Sequence, residues 1–318
     1  MNFPPSLQCA LDQLLSGMCH ADMVRDAQAI SSRYRTQSGS GSRLLTRDTE
    51  AAAYATSRMP ATFGAVYDTL QKALAAYGKI PKTMIDAGAG TGAAAWAADA
   101  AMALGSILCL EREEAMHSLG QELMRSGSLV LKKAAWIKSD LCTDALNEHA
   151  ELVVLAYVLN EMPEDKRAAA VEKLWNASEM MLLIVEPGTP AGYKNLMEAR
   201  RLLLTLGAHI AAPCSHEREC PMAEGDWCHF ACRIQRTQLH RRLKGGEAPY
   251  EDEKYAYMAF TREPSLPARS RILRHPQVRS GHVMITVCEV DGIKTRTVSR
   301  KDGALYKQMR NMGAGDEI

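Results

Sequence analysis

The sequence contains no run approaching the roughly 18 apolar residues of a membrane-crossing helix, which excludes a helical integral membrane protein. Its N-terminus, MNFPPSLQCALDQLL, lacks a basic stretch followed by an apolar core, so it does not read as a secretory signal and the chain is expected in the cytoplasm. Charge of either sign is not in excess: the net value is +1 over 318 residues, and no global field selects a partner. Aromatics are scarce at 6%, and alanine and methionine supply much of the apolar share, which favours helices and adaptable packing. With 47% hydrophobic and 24% charged residues, the length suits one large core and a smaller module.

Cysteine, by contrast, is plentiful. Disulfides are not expected in a reducing compartment, so the nine cysteines need metal binding or burial to account for them. Cys9, Cys19, Cys109 and Cys142 lie scattered in apolar surroundings and read as small core residues. Charge is also unevenly placed. Between Arg269 and Arg310 ten Lys/Arg stand against three Asp/Glu, an excess of seven that suggests a polyanion such as nucleic acid.

Three regions are expected. Residues 1–80 read as helical, with RTQSGSGSR (35–43) as a flexible break and Pro60 starting or kinking part of the run from Asp48 to Tyr77. Residues 81–207 alternate short apolar runs (TMIDAG, SILCLE, AAWIKSD, ELVVLAYV, MMLLIVEP) with helices around 113–125, 163–178 and 190–207. That alternation predicts right-handed βαβ units in an α/β fold with a mostly parallel, Rossmann-like sheet. The continuously apolar LVVLAYV and MLLIV fit strands covered on both faces. Residues 208–318 read as a small β-rich module carrying cysteines, with a hairpin turn at Asp291-Gly292.

Two motifs carry chemistry. In MIDAGAGTGAAAW (84–96), Asp86 closes a strand, and Gly88, Gly90 and Gly92 open a helix whose free N–H groups can face a ligand. No Gly-Lys-Ser/Thr follows, and the spacing is not the G-x-G-x-x-G of a dinucleotide site. The pattern D-x-G-x-G-x-G resembles the first motif of class I S-adenosylmethionine-dependent methyltransferases. That resemblance implies a cofactor held beside the glycine loop, ribose hydroxyls bonded by Glu111, 25 residues after Asp86, and adenine near Asp140. It also points to Asn160, in YVLNEMPE, as the residue that would hold a substrate amine; the aromatic partner expected beside it is missing. Methyl transfer is left open, with enzyme preferred.

The second motif is PCSHERECPMAEGDWCHF (213–230). Cys214, Cys220 and Cys228, with Cys288 sixty residues further on, could close a four-thiolate site. Cys232 is an extra thiol, and His216 and His229 are possible substitutes. Structural zinc prefers closer cysteine pairs, whereas iron–sulfur clusters accept wider spacing.

RMPATFGAVYDTL (58–70), MIDAGAGTG, LNEMP, VEPGTPAG, the cysteine stretch and GHVMITVCEVDG together resemble the methyltransferase-like family that acts in assembly of the small ribosomal subunit, known from mitochondria and with bacterial members. The resemblance implies a class I methyltransferase fold, a four-iron four-sulfur (4Fe-4S) cluster on Cys214, Cys220, Cys228 and Cys288, and association with the small ribosomal subunit and its rRNA, without a membrane. No arginine-rich leader is present, so a bacterial cytoplasmic member is expected. The alternatives are a non-catalytic assembly factor on the same fold, or a small-molecule methyltransferase with a zinc module.

Overall fold

The computed structural model describes residues 3–16, 25–26, 29–30, 33, 47–236, 240–241, 248–265 and 269–318. The expected break at 35–43 lies outside them, as does Cys19. Helix α1 (Pro5–Ser16) precedes α2 (Asp48–Ser57) and α3 (Met59–Tyr77). The last two divide at Arg58, and Pro60 sits in the first turn of α3, where its missing N–H costs nothing.

The strands β1 (Thr83–Ala87), β2 (Ser106–Glu111), β3 (Ala135–Lys138), β4 (Ala150–Ala156) and β5 (Ser178–Pro187) are parallel and alternate with α4 (Ala93–Ala101), α5 (Glu114–Met124), α6 (Leu129–Lys132) and α7 (Glu164–Ala177). Helix α8 (Pro190–Thr205) then leads into β6 (His209–Ala212), β7 (Phe230–Gln235) and β8 (Tyr250–Thr261). The sheet order is β3-β2-β1-β4-β5-β8-β6, with β7 also on β8. Strand β8 runs antiparallel to β5, β6 and β7.

The main sheet therefore continues past the boundary expected at 207. Only β9 (Ser270–Ile272), β10 (Gln277–Arg279), β11 (His282–Glu289) and β12 (Gly292–Ser299) form a separate four-stranded sheet, closed by α9 (Ala304–Met309). The reason is an apolar run: YAYMAF in β8 is buried on both faces, and it completes the large sheet instead of starting a new one. The hairpin turn at Asp291-Gly292 is present, with Glu289 paired to Gly292.

Alternation along the central strands feeds two cores. Leu152 and Val154 of β4 join the layer containing α3 and Trp96, whereas Val153 and Leu155 join the layer containing Leu174, Trp175 and Leu203. Val283, Ile285 and Val287 make a third core with Val298, Tyr306 and Met309. Buried Arg271 fastens this small sheet to the rest, through Nε to the Pro213 carbonyl (2.7 Å), Nη1 to the Gly315 carbonyl (2.8 Å) and Nη2 to Glu317 (2.6 Å). Of the scattered cysteines, Cys109 is buried, Cys142 is partly covered and Cys9 is exposed, so the core reading fails for Cys9.

The turn from β1 into α4 carries a buried charge. Asp86 is 2% exposed, and its Oδ2 accepts the Ala95 N–H at 3.0 Å. Burial pushes this carboxyl up to about 7, opposed by the Ala95 bond and assisted by the nearby Glu111 charge. An acid raised on folding keeps its proton longer in the native than in the unfolded chain, so stability falls as pH rises from its ordinary value towards its folded one. Urea midpoints of the wild type should therefore decline between about pH 4 and 7, the window set by Asp86. Asp86→Asn, which keeps an acceptor for Ala95, should flatten that decline; an equal slope in both proteins would show that Asp86 does not cause it.

Candidate functional site

The carboxyl ends of parallel strands, next to helix N-termini, are where open α/β sheets hold ligands. Here that edge is shaped by Glu111. The carboxylate is buried; Oε2 accepts the Gly90 N–H at 2.7 Å and Oε1 accepts the Glu113 N–H at 2.8 Å. Burial raises its titration while these bonds pull it down. The turn begins with the Gly88 and Ala89 N–H groups both bonded to the Leu110 carbonyl at 2.9 Å. Gly88 has φ +72°, and a Cβ there would stand 2.6 Å from Val158. A side chain at 88 would thus meet both backbone strain and the opposite wall.

The cleft beside this turn encloses about 720 Å³ of space, part of it open to solvent. Gly88, Gly90, Glu111 and Asp140 line it together. Asp86 and Thr91 line an adjoining recess with Tyr54. The Thr91 hydroxyl is buried without a partner, so the recess has a polar group to offer. Asp140 uses Oδ1 to accept the Cys142 N–H at 2.8 Å and lies 3.9 Å from Arg112. Gly92 instead faces Met124 and Trp136. Asn160 does not line the cleft; Tyr157, Val158, Glu161 and Met162 of the same turn do.

Two contributors to this edge were not singled out from the sequence. Tyr157 ends β4 with φ 63°, the one positive value outside glycine among the described residues. Its hydroxyl donates to Glu253 Oε1 at 3.0 Å, and Arg58 reaches the same oxygen at 3.3 Å. The cleft wall is thereby tied to the junction of α2 and α3. Glu186, at the end of β5, accepts the Leu159 N–H at 3.1 Å and the Asn195 side-chain amide at 3.3 Å. Burial pushes Glu186 up to about 8, against those two bonds. Only the long-range fold brings these partners together.

Cys214, Cys220, Cys228 and Cys288 line one further pocket, with about 540 Å³ of empty space and largely apolar walls. The first three come from the segment between β6 and β7, and Cys288 comes from β11. The Ser215 hydroxyl donates to the Cys288 carbonyl at 3.2 Å, joining loop to strand. Cys232 belongs to the core on the α3 side. His216 Nε2 lies 3.8 Å from Cys288 Sγ, while His229 stacks on Trp227. Burial pushes the Cys214 thiol up to about 11, with Arg200 beside it pulling the other way; burial likewise raises Cys228 and Cys288.

Such a pocket favours neutral thiols unless a cation converts them to thiolates. Among the described residues no three His, Cys, Asp or Glu side chains converge on one ion-sized point. Zinc and iron–sulfur clusters both take cysteine thiolates, and the four cysteines border one space. The Tyr257 hydroxyl, buried and unpartnered, lines the same space. Four cysteines on one pocket are the donor type that an iron–sulfur cluster takes.

At the mouth of the small sheet the cations expected to meet a polyanion are sorted. Arg271 bonds Glu317, Arg274 bonds Asp226, and Lys294 and Arg296 pair with Glu289. Arg279, Arg300 and Lys301 are exposed and make no ion pair among the described residues. Arg279 is in register with His282, and the Arg300 N–H donates to the Gly281 carbonyl at 3.0 Å, so the three surround one turn.

This chain has relatives among known proteins. It is 29% identical over 257 residues to the human protein named ribosome assembly protein METTL17, mitochondrial, covering 74% of this chain and 55% of that protein. It is 27% identical over 213 residues to the Schizosaccharomyces pombe protein named Rsm22-cox11 tandem protein 2, mitochondrial, covering 52% of this chain and 28% of that one. The chain thus spans about half the length of the human relative and less of the yeast one. Among solved structures, the magnesium protoporphyrin IX methyltransferase of Synechocystis PCC 6803 with bound S-adenosylmethionine superposes with a TM-score of 0.43 at 15% identity, covering 78% of this chain and 99% of that one. A family model described as mitochondrial small ribosomal subunit Rsm22 matches residues 48–318, which take in the cleft, the four-cysteine pocket and the small sheet, and the chain belongs to that family.

Proposed function

We propose that this chain binds S-adenosylmethionine in the cleft bounded by Gly88, Gly90, Glu111 and Asp140, carries a 4Fe-4S cluster on Cys214, Cys220, Cys228 and Cys288, and acts with the RNA of the small ribosomal subunit during its assembly. The observation that carries this reading is the single family match running through both sites. When bound, S-adenosylmethionine supplies an electrophilic methyl group, and positioning is most of what the protein must add. Glu111 has free lone pairs beside its two N–H bonds with which to accept hydroxyl protons. The cluster would cross-link the loop after β6 to β11 and so join the small sheet to the large one.

One observation favours an assembly factor that keeps the cofactor without transferring methyl groups. Asn160, the residue expected to hold a substrate amine, is not among the residues that line the cleft, and the Tyr157 hydroxyl is committed to Glu253. Transfer of label from S-adenosylmethionine to small-subunit RNA would reverse that preference.

Calorimetric titration with S-adenosylhomocysteine should show binding to the wild type and about tenfold weaker binding, or worse, for Glu111→Ala, which loses a charged acceptor. No heat with the wild type would remove the cofactor from the proposal. Binding to small-subunit RNA should weaken linearly in log–log terms as salt rises. Changing Arg279, Arg300 and Lys301 together to Glu should lower that slope by about 2, at ~0.7 per phosphate contact on single strands. An unchanged slope would place the RNA elsewhere on the molecule.

A further inference from the structure

Helix α8 presents one face to the cysteine pocket. Tyr193, Leu196 and Met197 line it, and Arg200 follows seven residues after Tyr193, on the same side of the helix. Arg200 is 4% exposed. Its Nη2 donates to the His216 carbonyl at 3.3 Å and to the Arg218 carbonyl at 2.5 Å, but Nε is buried with no partner. No carboxylate pairs with it among the described residues. A buried guanidinium answered only by carbonyl dipoles is a costly arrangement. Tyr193 adds a second polar contact, its hydroxyl 3.2 Å from Cys220 Sγ.

We infer that Arg200 is the built-in counter-charge of the occupant of the cysteine pocket, and that Tyr193 is a hydrogen-bond donor to its Cys220 ligand, the two together setting the reduction potential of the bound cluster. This rests on the cluster reading above. Four thiolates on a 2+ cluster core carry a net charge of about −2, and one-electron reduction of the core to 1+ takes that to about −3. A fixed positive charge and a donor to sulfur both favour the more negative, reduced state, and so raise the potential. The same arrangement makes Arg200 a burden when the pocket is empty and a support when it is filled. Arg271, on another wall of the pocket, already has Glu317 as its partner, so the uncompensated charge is that of Arg200.

The test is anaerobic reconstitution with iron and sulfide of the full chain and of Arg200→Gln, Arg200→Lys and Tyr193→Phe. Iron is assayed on each sample, followed by a dithionite redox titration read by electron paramagnetic resonance. Thermal unfolding is measured with and without the cluster. The midpoint potential should shift down in Arg200→Gln and in Tyr193→Phe, and Arg200→Lys should recover part of the shift. Arg200→Gln should lower the melting temperature of the loaded protein but leave that of the empty protein unchanged or higher. Loaded variants with the wild-type potential overturn the inference. So does equal destabilisation of loaded and empty Arg200→Gln, because that is what loss of its bonds to the loop carbonyls alone would do. Tyr193→Phe keeps the question open to an answer if Arg200→Gln does not fold. A wild type that takes up no iron overturns the cluster reading itself, and this inference falls with it.

Discussion

Strand β8 is the constraint on which both sites depend. One edge pairs with β5 from Tyr255 to Thr261, which locks it to the parallel sheet. The other edge is shared: Ala259 pairs with Ala212 at the end of β6, and Tyr255 pairs with Phe230 at the start of β7. Residues 213–229 therefore leave and return to one strand at points four residues apart, about 13 Å at ~3.3 Å per residue. That closure gathers three cysteines over one end of the sheet. It also places Glu253, a few residues earlier on the same strand, where it meets Tyr157 and Arg58. The cleft wall and the cysteine loop are thus fixed by a single antiparallel addition to a parallel sheet.

Local patterns made much of this legible. Period and punctuation located the five parallel strands, because buried parallel strands are continuously apolar and their helices are long enough to show a stripe. The glycine turn was visible because positive φ and close approach leave few residue choices, as at Gly88. The boundary at 207 misled because a composition change was read as a change of sheet. KYAYMAF is as apolar as the strands before it, but its partner β5 lies some 70 residues earlier in the sequence. Pairing at that distance leaves no local trace. Tyr157, Glu186 and Arg200 escaped for the same reason, since each is defined by a partner from another element.

The basic segment shows how a charge count differs from a charged surface. Arg271 spends its guanidinium as an internal fastener between the loop, the C-terminal tail and the small sheet. Lys294 and Arg296 lie beside Glu289 on the small sheet, where their stems cover its core and their heads are neutralised. A counterion atmosphere responds to what remains, which includes the turn bearing Arg279, Arg300 and Lys301 together with Lys307 of α9 and Arg310 just after it. The sequence gives every cation equal weight, and the fold does not.

Helix α8 touches both sites from different sides. Tyr193 lines the cysteine pocket and Arg200 lies beside Cys214, while Asn195 bonds Glu186, which holds the Leu159 N–H of the turn that walls the cleft. Arg167 fixes Asn195 from its other side at 2.8 Å. The helix therefore walls one pocket and braces the wall of a separate one. A displacement of this helix made at one pocket is carried to the wall of the other, and any such coupling acts by an equal factor in both directions.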